Sequence, residues 1–156
     1  MIETFVSYKN PPVIETVLDA QFTPIESLTE AHLGIYWDKF LKSEWPNLSK
    51  QRALPINNED FGKNAYWKNR PLTSIIALET IDGPILRLQF ADAHDEKLIQ
   101  LQNGRFILNW RNVEGKPYPR FIKLLPLYIE YFNSFYDYVL EMHNKKLKLN
   151  QWEVTY

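Results

Sequence analysis

The chain has 156 residues, with 18 basic and 19 acidic side chains, a formal net charge of -1 and no cysteine. This length suits one hydrophobic core, so we expect a single domain over residues 1–156. The lack of cysteine excludes disulfides, thiolate metal centres and a cysteine nucleophile, and it favours a cytoplasmic protein. The balanced charge argues against nucleic acid as a partner. The absence of an apolar run of about 18 residues argues against a membrane.

The first half of the sequence predicts one strand and one helix. Apolar and polar residues alternate over 13–22, which is typical of a strand with one buried face. Ser27 and Glu30 have the spacing of a capping box, and apolar residues then recur at helical spacing until a Trp-Pro pair. This pattern predicts a helix over 28–44. No period is sustained over 47–70, which we interpret as a loop-rich connection with at most one short strand.

A meander of four strands follows. The Asn-Gly pair at 103–104 is typical of a type I′ hairpin turn, in which both central residues take positive φ. This turn pairs Gln102 with Arg105 and sets the register of the hairpin, so that Trp110 lies opposite Lys97 on the core face. The predicted strands span residues 74–81, 85–91, 97–102 and 105–112.

The last part of the chain predicts a long helix and a final strand. Large apolar residues recur at steps of three and four from Phe121 to Met142, which indicates a strongly amphipathic helix. Proline is tolerated in the first turn, so Pro126 allows the regular helix to begin either at Phe121 or near Leu125. Residues alternate again over 151–156. The order strand, helix, four-stranded meander, long helix, strand predicts an α+β fold, with an antiparallel sheet of about five to six strands and two helices packed on one face.

The hairpin register also predicts a polar sheet face with two arginines. The simplest interpretation is a solvated face, as antiparallel sheets often have. The alternative is a binding surface, on which the arginines hold an anion and the amides supply directional hydrogen bonds. We expect a non-catalytic module that uses this face to bind a protein or a small ligand, with both guanidinium groups pointing outward. The candidate binding residues are Gln100, Gln102, Arg105, Asn109 and Arg111.

The main alternative is an enzyme. No P-loop, nucleophile elbow, dinucleotide fingerprint or zinc motif is present, so no catalytic residue is assigned and no cofactor or metal is expected. Glu15 and Asp19 lie four residues apart in one strand and project from the same face, where they could form a carboxylate pair. A polar turn could offer hard metal ligands, although it equally suits a solvated hairpin turn. Its residues are Asp92, His94, Asp95 and Glu96.

A second alternative is a weak nucleic-acid binder. Such a protein collects several cations on one surface and binds phosphates in a salt-dependent way. Here it would require Arg105, Arg111 and Arg120 to lie on the same side of the molecule as the lysines of 145–148.

Short segments across most of the chain carry a resemblance through their order and spacing. They lie at residues 10–15, 33–37, 99–101, 105–111, 118–121 and 153–156, and include Asn109-Trp110-Arg111. Together they resemble a bacterial family of sporadically distributed proteins of uncharacterised function. The resemblance implies no activity, cofactor or catalytic residue, and it implies that the chain corresponds to the N-terminal half of a longer protein. We therefore expect the strand ending at Tyr156 to present an open edge, which a second copy could cover to form a homodimer.

Overall fold

The computed structural model describes residues 11–55, 86–113 and 116–156. The predicted strand over 74–81 lies outside these residues. In chain order, the elements are β1 (Glu15–Phe22), α1 (Glu30–Tyr36), which continues as a π-helical turn (Trp37–Leu41), β2 (Asn47–Arg52), β3 (Leu86–Ala91), β4 (Lys97–Gln102), β5 (Arg105–Arg111), α2 (Phe121–His143) and β6 (Leu149–Thr155).

The six described strands form one antiparallel sheet in the order β2-β3-β4-β5-β1-β6. Helix α1 packs over β3 and β4, and helix α2 packs over β1 and β5. Both helices cover the same face, because Tyr36 of α1 contacts Phe135 of α2 with ring centroids 5.3 Å apart. This arrangement confirms the predicted α+β class and the two helices on one face.

The predicted hairpin register is confirmed, but the turn type is wrong. Gln102 pairs with Arg105 and Lys97 pairs with Trp110, as the sequence predicted. Gly104 has a φ of 111°, whereas Asn103 is not among the described residues with positive φ, so the turn is not type I′. The Asn103 amide instead clamps the Ile25 peptide: it donates to the Ile25 carbonyl at 2.8 Å and accepts from the Ile25 N–H at 2.9 Å.

Most of the aromatic side chains in the described residues lie in the core between the sheet and the helices. Phe106 is fully buried at its centre, with ring centroids 5.6 Å from Tyr128 and 5.5 Å from Phe132. Trp110 is also fully buried, as predicted. Ile14 precedes β1 and does not join this core, although it lies within the predicted alternation over 13–22, because it is 75% exposed. In the described residues, the aromatic side chains therefore serve mainly to pack the core.

The structure decides three local points of the sequence prediction. Strand β2 (Asn47–Arg52) is a short strand within the predicted loop-rich connection; all its residues are exposed, so it carries no hydrophobic period. The capping box of α1 is formed by Thr29 and His32, whereas Ser27 contacts His143 at 3.0 Å. Helix α2 begins at Phe121 and includes Pro126. In the part of the chain that the structure describes, neither helix has the length and apolar content needed to cross a bilayer.

Candidate functional site

The sheet face turned away from the helices is rich in amide and charged side chains, and we call it the polar face. Side chains alternate along each strand, so the residues between the core positions all project here. Strand β1 contributes Glu15, Asp19 and Gln21, and strand β3 contributes Arg87 and Gln89. Strands β4 and β5 contribute the predicted residues Gln100, Gln102, Arg105, Asn109 and Arg111.

Four of the five predicted binding residues are buried. Gln100, Gln102, Arg105 and Asn109 are each less than a tenth exposed, so the expectation of a solvated face is wrong for them. The expectation that both guanidinium groups point to solvent holds only for Arg111, which is exposed. Buried polar groups are costly unless they are hydrogen-bonded, and each of these four side chains has a hydrogen-bond partner.

A continuous chain of side-chain hydrogen bonds crosses the polar face, and we call it the amide chain. Its members come one from each of five adjacent strands: Ser49, Gln89, Gln100, Asn109 and Glu15. Each donates to the next. The four donor–acceptor distances, in that order, are 3.1, 2.8, 2.6 and 2.7 Å.

The Glu15 carboxylate sets the direction of the amide chain. An ionised carboxylate only accepts hydrogen bonds, so the Asn109 amide must turn its NH2 group towards Glu15 and its oxygen towards Gln100. The same logic orients Gln100 and then Gln89. All the amide dipoles therefore point the same way, and aligned hydrogen bonds of this kind strengthen one another.

Gln102 does not belong to the amide chain. Its side chain makes two hydrogen bonds to the backbone of the segment after β2. Its amide accepts from the Leu54 N–H and donates to the Leu54 carbonyl, both at 2.8 Å. With both polar groups of a fully buried side chain used in this way, Gln102 holds the backbone and is not positioned to contact a ligand.

Arg105 is engaged in a buried ion pair. Its Nη1 donates to the Asp19 Oδ2 at 2.5 Å. Burial raises the pKa of Asp19 to about 6, and the positive charge of Arg105 opposes this rise only in part. The second Asp19 oxygen, Oδ1, and the Arg105 Nε are buried without a hydrogen-bond partner. The pair therefore lies in a poorly solvated part of the polar face.

A cleft of about 450 Å³ opens over the remainder of the polar face. All five members of the amide chain line it, so Gln100 and Asn109 reach it from the predicted set, as does Arg111. Gln102 and Arg105 do not line it. The other charged and polar residues of its wall are Arg87, Asp95 and Asn47.

Sequence analysis missed the half of the cleft formed by β2 and β3. Ser49 was not predicted, because an edge strand that is exposed on both faces has no apolar alternation. Arg87 and Gln89 lie in the predicted strand over 85–91, and its alternation placed them on one face. The pairing of Gln89 with Gln100 would have added both residues to the candidate set.

The polar turn after β3 is a structural element. The Asp92 Oδ1 accepts the Glu96 N–H at 2.8 Å, and Glu96 accepts from the Trp110 indole at 3.0 Å and from Lys116 at 2.9 Å. These contacts hold the pKa values of Asp92 and Glu96 below their usual range although burial opposes the shift. Among the described residues, no group of three or more His, Cys, Asp or Glu side chains could hold a metal ion.

The fold also argues against the other two alternatives, the carboxylate pair of an enzyme and the nucleic-acid surface. Glu15 lines the cleft and Asp19 is sealed beside Arg105, four residues or about 13 Å along the same strand, which is far for a carboxylate pair acting on one bond. A nucleic-acid surface would need Arg105, which is buried and paired. The lysines of 145–148 line a different groove, together with Thr23 and Ser27.

Comparison of the chain with known proteins found no matching family model, no matching curated protein and no matching solved structure.

Proposed function

We propose that the protein is a non-catalytic cytoplasmic module that binds a small polar ligand in the cleft of the polar face. The cleft volume of about 450 Å³ lies within the range typical of small-molecule sites, about 300–1,000 Å³. Its wall combines amide, hydroxyl and charged side chains, which suits a ligand recognised by directed hydrogen bonds. The sheet itself supplies the floor, so the site is built on rigid elements.

The amide chain is the observation that carries this proposal. Gln89, Gln100 and Asn109 each use one side-chain N–H within the chain, and a carboxamide has two. Each residue therefore retains one N–H that can donate a hydrogen bond to a ligand oxygen. Because the chain fixes all three amides in one orientation, these donors are pre-organised and little conformational entropy is lost on binding.

The arrangement of the acidic groups favours binding over catalysis. Asp95 is paired with Arg111 at 2.5 Å, and Glu15 accepts the last hydrogen bond of the amide chain. Burial raises the pKa of Asp19 to about 6, but Asp19 does not line the cleft. An enzyme that used Asp19 would need its substrate to reach a side chain that is 3% exposed.

Ligand-observed NMR with a defined set of compounds tests the proposal. D-glucose, D-gluconate, citrate and L-glutamine would be mixed with the wild-type protein and with Gln89→Leu, which removes a central member of the amide chain. We expect saturation-transfer signals with the wild type and their loss in Gln89→Leu. Gln51→Leu is the matched control, because Gln51 is exposed on β2 and does not line the cleft. Signals that are absent from the wild type, or unchanged in Gln89→Leu, would contradict the proposal.

We also propose a homodimer formed through β6. Among the described strands, β6 is the outermost on its side of the sheet, so half of its backbone groups face outward there. Antiparallel pairing of two copies about Trp152 would place the two indoles opposite each other, next to the Tyr128 and Phe132 rings that each already contacts. It would also place Gln151 opposite Glu153 of the second copy, an amide donor facing a carboxylate.

Light scattering over a range of protein concentrations tests this pairing. We expect a mass of two chains for the wild type and of one chain for Val154→Lys, because Val154 is about half exposed and precedes the end of β6. Ile122→Lys is the control, since Ile122 is an exposed apolar residue on α2. A monomeric wild type at millimolar concentration would overturn the homodimer.

A further inference from the structure

Arg87 is a cation on the cleft wall that has no protein partner in the described part of the chain. Its guanidinium makes no ion pair or hydrogen bond there, and its Nε is buried without a partner. Burial lowers the pKa of Arg87 and the positive charge of Arg105 lowers it further, while the negative charge of Asp19 opposes the shift. An arginine so placed is a site where an anion would be stabilised.

The other two arginines of the polar face are already neutralised. Arg105 is paired with Asp19 and Arg111 is paired with Asp95, each at 2.5 Å. Arg87 is therefore the arginine of this face that has no ion-pair partner among the described residues. Its position on β3, two residues from Gln89, places it at the edge of the amide chain.

We propose that Arg87 anchors the ligand through a carboxylate, and that the ligand is a small monocarboxylic acid carrying hydroxyl or carbonyl groups. This inference rests on the proposed function and names the ligand class of that site. The carboxylate lies against the Arg87 guanidinium, whose planar fork matches two carboxylate oxygens. The hydroxyl or carbonyl oxygens of the ligand accept hydrogen bonds from the remaining side-chain N–H groups of Gln89 and Gln100.

The charge of the cleft favours a single carboxylate over a phosphate. One unpaired guanidinium balances one negative charge, whereas a phosphate dianion would bring a second. Glu15 and Asp95 also line the cleft and would repel that additional charge. The volume of about 450 Å³ suits a ligand the size of a sugar acid.

A titration that pairs a charged probe with its neutral counterpart tests this inference. D-gluconate, D-glucose and inorganic phosphate would be added separately to protein labelled with ¹⁵N, while the Nε–H signals of the arginines are followed by NMR. The Arg87 signal is identified by its absence from Arg87→Gln. We expect D-gluconate to shift this signal and to bind at least about tenfold more tightly than D-glucose. In Arg87→Gln this preference should disappear, whereas Arg52→Gln, at the exposed end of β2, should retain it.

The possible results separate this inference from the proposed function. Binding of D-gluconate and D-glucose with equal affinity, lost in Gln89→Leu but unchanged in Arg87→Gln, would overturn the carboxylate anchor and leave the cleft as the binding site. Phosphate that displaces D-gluconate from Arg87 at lower concentration would overturn the choice of a carboxylate. Absence of binding by all three probes, together with a stationary Arg87 signal, would overturn both.

Discussion

Arg105 donates a hydrogen bond to Asp19 across 86 positions of sequence, although the two side chains are only 8% and 3% exposed. An ion pair usually lowers the pKa of its carboxyl group. Here burial outweighs the attraction of Arg105 and raises the pKa of Asp19 to about 6. The cost of removing the Asp19 charge from water therefore exceeds what the attraction of Arg105 returns.

This balance predicts how stability depends on pH. The pKa of Asp19 is raised from 3.8 in the unfolded chain to about 6 in the folded protein, so the folded state binds the proton more tightly. The resulting stabilisation is complete below about pH 3.8 and is lost as the pH rises through about 6. Relative to Asp19→Asn, the wild type should lose roughly 2–3 kcal/mol of unfolding free energy between about pH 4 and about pH 7. Urea unfolding of both proteins across this range measures it, and a constant difference would contradict the pKa shift.

The same ion pair predicts a non-additive pair of substitutions. Arg105→Met leaves the Asp19 charge buried without its partner and should cost about 3–5 kcal/mol at neutral pH. Asp19→Leu combined with Arg105→Met removes both charges and should be closer to the wild type than Arg105→Met alone. A double-mutant cycle from urea unfolding checks the coupling. Equal stability of the single and the double variant would show that the charges do not compensate each other.

The direction of the amide chain predicts the effect of adding a charge. Asn109→Asp places a second carboxylate within hydrogen-bond distance of Glu15 while removing the donor, and should cost roughly 1–3 kcal/mol at neutral pH. Adding Glu15→Gln should restore most of this loss, because a carboxamide can donate to the new carboxylate. Chemical unfolding of the two variants provides the comparison. Failure of the second substitution to restore stability would mean that Asn109 does not donate to Glu15.

The clamp formed by Asn103 predicts the opposite result to that expected for a type I′ turn. In a type I′ turn, Asn103→Gly would be neutral or favourable, because glycine adopts positive φ readily. In the observed structure the substitution removes two hydrogen bonds to the Ile25 peptide and should cost about 1–3 kcal/mol. Thermal unfolding of Asn103→Gly and of the wild type decides between the two. An unchanged or higher melting temperature would speak against the clamp.

Local patterns in the sequence were sufficient for the core side of the sheet. The alternation of β5 predicted that Trp110 is buried, and the Asn-Gly pair predicted the pairing of Gln102 with Arg105. Both depend on neighbouring residues and on a side-chain period of two. The amphipathic period of α2 depended on local spacing in the same way. The exposed edge strand β2 had no such period, so local patterns did not locate it within the predicted loop-rich connection.

Only the tertiary structure decided the environment of the polar residues. The partner of Arg105 is Asp19 on β1, and the acceptor for Asn109 is Glu15 on the same strand, 94 positions away. No local period specifies which strand lies beside β5, so a face that looks solvated in sequence is a buried hydrogen-bond network in the fold. The sequence determined which side chains share the polar face, because alternation is local. The fold determined which of them are paired and which, such as Arg87, have no partner among the described residues, because pairing depends on contacts between distant segments.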